Sequence, residues 1–192
     1  MHILIIAAVT LMSLMSPPAS QAEPLRLTNF SATPNEPRWQ IVNDTVMGGR
    51  SNSAFEIADE MLTFTGRLNT NGGGFASIRS ERLAQDLTHY QSVRLKVLGD
   101  GRTYRFRMFV DNDRASYQHS FDTVAGEWLV VTLPIAEFKA SWRGRRMQRP
   151  PLQAKDVVGL GIILADGIDG PFKLQVSWVE VDGASPPAMS AG

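Results

Sequence analysis

From Leu25 onward apolar and polar side chains alternate with a period of two, and almost no stretch of ten residues keeps a helical stripe. In residues 92–98, Val93, Leu95 and Val97 alternate with Ser92, Arg94 and Lys96; in 104–110, Tyr104, Phe106, Met108 and Val110 alternate with Arg105 and Arg107. Such alternation dries one face of a strand and wets the other. The last run sets Phe172, Leu174, Val176 and Trp178 against Lys173, Gln175 and Ser177, which predicts Trp178, and likewise Trp128, inside the core. Further strands are predicted at 25–30, 39–42, 54–57, 61–68, 75–80, 117–122, 128–133 and 158–164. The run 158–164 is unbroken apolar with Gly159 and Gly161, as in a strand buried on both sides or carrying a bulge. Ten or eleven short strands in one domain predict an all-β fold, a two-sheet antiparallel β-sandwich.

Between the strands, Asn71-Gly72-Gly73-Gly74, Gly99-Asp100-Gly101 and Asp169-Gly170-Pro171 are turn signals. Residues 81–90 are the one stretch suited to a short helix, and 135–138 suit a single turn. The Arg- and Pro-rich segment 140–153 is predicted to be the longest loop.

Composition then narrows the function. The 192 residues carry 19 Lys+Arg against 19 Asp+Glu, so no basic excess supports general nucleic-acid binding. With no Cys and three His, a thiolate nucleophile, a disulfide framework and a Cys-ligated metal are excluded, and neither metal nor cofactor is expected. Residues 3–15 are almost wholly apolar and no charged side chain precedes Glu23. That run is shorter than the ~20 residues of a spanning helix, and Ser20-Gln21-Ala22 offers a small-x-small cleavage site. Residues 1–22 are therefore expected to be an export signal, 23–182 the sandwich and 183–192 a disordered tail, with the product in the bacterial periplasm, or membrane-anchored if uncleaved.

Catalytic patterns are sparse. No Gly-x-Ser-x-Gly elbow occurs, the glycine pairs lack the spaced Gly-Lys-Ser/Thr of a phosphate loop, and Asp111-Asn112-Asp113 lacks the rest of a calcium loop. Asp44, Asp100, Asp122 and Glu127 are the carboxylates from which a glycosidase pair would have to be drawn. The densest signal is Trp39 to Ser51, where an aromatic strand runs into Asn43-Asp44 and then Met47-Gly48-Gly49-Arg50-Ser51. Asn and Asp there satisfy turn backbone, and glycines permit close approach. Arg79, Arg102 and Arg145 are candidates to pair with such an Asp.

This segment, with Gly73-Gly74-Phe75, the Asp100-x-Arg102-x-Tyr104 turn, Trp128, Phe138, Arg143-Gly144-Arg145 and Gly170-Pro171-Phe172, resembles the complex I intermediate-associated protein family over about residues 30–181. The resemblance implies a jelly-roll, galactose-binding-like sandwich related to carbohydrate-binding modules, and a non-enzymatic assembly factor of a membrane respiratory complex. It also makes Asn43, Asp44, Met47, Gly48, Gly49, Ser51, Gly73, Gly74, Phe75, Asp100, Arg102 and Tyr104 family markers with structural roles. The mitochondrial member acts from the matrix, whereas the amino terminus here argues for export. A periplasmic carbohydrate-binding module is the second reading and a glycoside-active enzyme the third. The partner is expected to be a protein or a glycan, contacted through Trp142 as anchor and Arg143, Arg145 and Arg146 as its polar surround.

Overall fold

The computed structural model describes residues 23–71 and 73–183. Thirteen strands are present among them: β1 (Leu25–Thr28), β2 (Trp39–Ile41), β3 (Asn52–Ala58), β4 (Met61–Leu68), β5 (Ala76–Ser80), β6 (Ser92–Leu98), β7 (Thr103–Val110), β8 (Ser116–Asp122), β9 (Trp128–Pro134), β10 (Lys139–Trp142), β11 (Arg145–Arg146), β12 (Val157–Leu164) and β13 (Gly170–Asp182). A six-stranded sheet runs β3-β4-β13-β6-β9 with β1 beside β13, and a seven-stranded sheet runs β11-β10-β8-β7-β12-β5-β2. Every ladder between these strands is antiparallel.

The alternation decides what lies between the sheets. Phe64, Val93, Leu95, Val97, Leu174 and Val176 of the first sheet face Ile78, Tyr104, Phe106, Met108, Leu160 and Ile162 of the second, and all are fully buried. Each such side chain contributes roughly 1.5–3 kcal/mol of burial. Five connections pass from one sheet to the other at one end: 42–51, 69–75, 99–102, 123–127 and 165–169.

Four expectations are corrected. Trp178 lies outside the core, because a bulge between Val176 and Trp178 shifts the register. Phe172, Leu174 and Val176 point inward before the bulge, and Val179 and Val181 after it. A shift of one residue turns every following side chain to the opposite face. Trp128 is 42% exposed on edge strand β9, its ring under the Lys96 ammonium at 5.4 Å. Residues 81–90 are not helical: Leu83 and Leu87 are buried four apart, but the Leu83 N–H donates to the Val158 carbonyl at 2.9 Å, so the segment is docked against the start of β12, an interior strand, instead. Segment 140–153 is not simply a loop either. β10 and β11 form a hairpin closed by Arg143-Gly144, with φ of 49° and 75°, the positive pair a type I′ turn requires. The expected single turn is present at Ile135–Glu137. The export signal and the tail lie outside the described residues, Gly183 excepted.

Candidate functional site

Two polar clusters hold the inter-sheet connections together. Asp44 is fully buried between segments 42–51 and 69–75. Its carboxylate accepts from the Ser51 hydroxyl at 2.6 Å, the Gly74 N–H at 2.7 Å, the Ser51 N–H at 3.0 Å and the Phe75 N–H at 3.3 Å. Burial pushes this carboxyl up, but the Ser51 hydroxyl and then the backbone donors outweigh it and hold the group below its ordinary value. The neighbouring glycines are explained by the same carboxylate. A Cβ on Gly49 would stand 2.2 Å from the Asp44 Cγ, and one on Gly73 2.4 Å from an Asp44 carboxylate oxygen. Gly48 (φ 87°) closes the turn. Asn43 accepts from the Ser53 hydroxyl at 2.8 Å and the Ser77 N–H at 3.3 Å.

The second cluster joins 99–102 to 165–171. Arg102 grips Asp166 through Nε at 2.9 Å and Nη2 at 2.7 Å, and also donates to the carbonyls of Ile168, Gly170 and Pro171. Asp100 accepts from the Tyr104 hydroxyl at 3.1 Å and the Lys173 N–H at 2.8 Å. Burial, then the charge of Asp100, raises the Tyr104 phenol. The Thr70 N–H donates to Asp169 at 2.6 Å and links the two clusters. Among the described residues neither Arg79 nor Arg145 forms an ion pair with an Asp; Arg102 does, but with Asp166 rather than Asp44.

Accessible chemistry sits on the outer face of the seven-stranded sheet. A cavity of about 550 Å³ lies across it. Its floor is Arg105, Arg107, Gln118 and Ile163; one wall is Val42, Asp44, Val46 and 73–75, and the other is the β10–β11 hairpin with Trp142 and Arg143. The two edges of the sheet thus wall a trough. Ladder register places Arg79 of β5, Gly161 of β12, Arg107 of β7 and Gln118 of β8 in one cross-strand row. Over Gly161 lies Phe109, 7% exposed yet outside the core. A Cβ on Gly161 would come within 3.0 Å of that ring, so glycine lets the ring lie against the sheet. Arg79 stands 3.9 Å and Arg107 4.9 Å from the ring centre. Arg107 donates to the Ser116 hydroxyl through Nε at 2.9 Å and Nη2 at 2.8 Å. Burial, then Arg79, pushes its guanidinium down to about 10. Among the described residues no carboxylate forms an ion pair with Arg79, Arg105 or Arg107.

The four residues expected to make contact divide. Trp142, 37% exposed, and Arg143, whose guanidinium lies 4.8 Å over the Trp142 ring, both line the trough. Arg146 faces adjoining clefts beside Lys139 and Ala140, and exposed Arg145 lines neither. Of the four carboxylates weighed for catalysis, Asp44 alone lines the trough. No group of three or more His, Asp or Glu able to hold a metal occurs among the described residues. Sequence reasoning missed the Arg79–Phe109–Arg107 arrangement, although the outward Arg105 and Arg107 were visible and Phe109 breaks the alternation directly after Met108.

Comparison with known proteins agrees with this geometry. The model of the family "Complex I intermediate-associated protein 30" matches residues 28–176, which include the Asp44 and Arg102 clusters and the whole trough. The chain belongs to that family. Complex I intermediate-associated protein 30, mitochondrial, from Drosophila melanogaster is 28% identical over 183 residues, covering 80% of this chain and 61% of that protein. The Mus musculus protein of the same name is 24% identical over 169 residues, covering 75% and 52%. The family member described here therefore spans less than two thirds of these relatives. Among solved structures, the family 11 carbohydrate-binding module of a Clostridium thermocellum cellulosomal cellulase superposes with a TM-score of 0.61 at 14% identity, covering 88% of this chain and 99% of the module. A family 29 carbohydrate-binding module superposes at 0.55 with 9% identity, covering 88% of each. Identities this low carry the fold alone, a two-sheet antiparallel β-sandwich.

Proposed function

We propose that this chain is a non-enzymatic binding protein that assists assembly of a membrane respiratory complex by seating a protein partner in the trough on its seven-stranded sheet. One observation carries the reading. Trp142, Arg143, Arg105 and Arg107 converge on one cavity, while the family-marker residues Asp44, Asp100 and Arg102 are engaged in holding the fold. An exposed tryptophan beside arginines on a rigid sheet is the composition of a protein-contact centre. The carbohydrate-module reading draws on the fold, but a sugar site stacks rings on open aromatic faces. Here Phe109, beside the cavity, lies under two guanidiniums and Arg143 covers Trp142, while the floor itself presents Arg105 and Arg107, so the trough offers cations in place of such faces. Export by residues 1–22 is proposed from the sequence, in contrast to the mitochondrial relatives; the mass of the protein's amino terminus from its native host tests it.

The test of the trough is photocrosslinking in the source cell, with p-benzoylphenylalanine placed at Arg143 and, as control, at Lys173 on the other sheet. The expected result is respiratory-complex subunits captured from position 143 and not from 173. Capture of glycan alone, or the same proteins from both positions, contradicts the reading.

A further inference from the structure

We infer that the row Arg79–Gly161–Arg107, together with Arg105, is a carboxylate-binding site that takes an acidic peptide segment of the protein partner. The inference rests on the trough reading above and specifies its ligand chemistry. Two guanidiniums in one cross-strand row are held over a single buried ring by a glycine that leaves room for it. Like charges so placed repel, and Arg107 is in addition largely desolvated. The Phe109 ring face offsets part of this, but no carboxylate among the described residues does: the other partner of Arg107 is a neutral hydroxyl, and that of Arg105 is the Ala165 carbonyl at 3.4 Å. A guanidinium presents a planar fork that matches a carboxylate. With its proton held to about pH 10, Arg107 is charged at neutral pH and its position costs folding energy that an incoming anion would offset.

The walls select among anions. Val42, Val46, Ile163 and Trp142 surround the cationic floor with apolar surface. That suits Asp or Glu side chains interspersed with aliphatic ones better than a sugar chain, whose hydroxyls would need polar partners along its length. The one acidic group on the wall, Asp44, has its oxygens filled by four donors and is no counterion for the floor.

Fluorescence anisotropy with the full chain and a labelled nonapeptide (Glu-Ser-Leu)₃ tests this, against the amide counterpart (Gln-Ser-Leu)₃ and trigalacturonate as an acidic sugar. The acidic peptide is expected to bind at least about tenfold more tightly than either. Arg107→Gln and the exposed Arg79→Gln should each weaken it about tenfold, and Lys155→Gln should leave it unchanged; urea melts of each variant report folding separately. Equal binding of the two peptides, preference for trigalacturonate, or indifference to both arginine substitutions overturns the inference. If crosslinking from position 143 persists under any of those results, the ligand chemistry is wrong and the trough reading stands. If crosslinking fails as well, both fall.

Discussion

The two outer faces of the sandwich carry the same motif with one difference. On the six-stranded sheet, Arg26 and Arg94 flank the Trp178 ring at 4.3 and 6.0 Å, and both reach Glu180, at 3.0 and 3.1 Å, whose side chain is 8% exposed. Arg94 also meets Asp182 at 3.3 Å. On the seven-stranded sheet, Arg79 and Arg107 flank Phe109 just as closely, and among the described residues no acid pairs with either. The first arrangement is balanced within the fold; the second keeps cationic chemistry available beside a cavity. What distinguishes a structural arginine pair from a candidate binding pair here is therefore the counterion, not the arginines or the ring beneath them.

The largest effect belongs to the connections that support both faces. Asp44→Ala strands four donors and should cost about 3 kcal/mol or more by urea denaturation, since each buried unpaired group costs about 1–3 kcal/mol. If the variant still folds, its preference for the acidic over the amide peptide should survive. Next comes Glu180→Gln, which removes the counterion from the balanced face. Because Arg26 and Arg94 are partly solvated, the full cost of a broken buried pair is discounted to about 2 kcal/mol. A loss below about 0.5 kcal/mol would mean the two faces are not different in kind.

Acid provides a third probe. Asp44 and Asp166 are both held below the ordinary carboxylate range, in each case by bonds that outweigh burial. A carboxyl whose folded value is depressed stabilises the fold above its unfolded value, about pH 4, and that stabilisation disappears as pH falls through the folded value. Stability should thus decline below about pH 4, and Asp44→Asn should flatten the decline while lowering the neutral-pH plateau. The smallest effect is expected on the unbalanced face. Arg107→Gln removes a desolvated charge that repels Arg79, so the urea midpoint should hold or rise, within about 0.5 kcal/mol of wild type.

Eleven of the thirteen strands were legible, β12 as an unbroken apolar run and the others from alternation, because a sheet with one wet face writes its burial directly into the sequence. The exceptions have local causes. The bulge before Trp178 reverses the pattern without any residue that announces it, and the Arg143-Gly144 turn closes a hairpin without the usual Asn-Gly signal. Leu83 and Leu87 imitate one helical turn because a docked segment can also bury every fourth residue. Asp44 and its glycines were recognisable as a turn, but their shared reason, one carboxylate filling the space of two side chains, needs the fold. The Arg79–Phe109–Arg107 arrangement was invisible for a stronger reason: its members come from two strands that meet only across a third, β12, and nothing in the sequence sets that register.

The most direct measurement is the yield of protein captured from position 143 in the source cell when Arg107 is replaced by Gln. A trough whose cations await a partner predicts that capture falls about tenfold while the urea midpoint of the purified variant is unchanged or higher. Undiminished capture, accompanied by a loss of about 2 kcal/mol in stability, would contradict the account and make Arg107 a supporting member of the fold like Arg94.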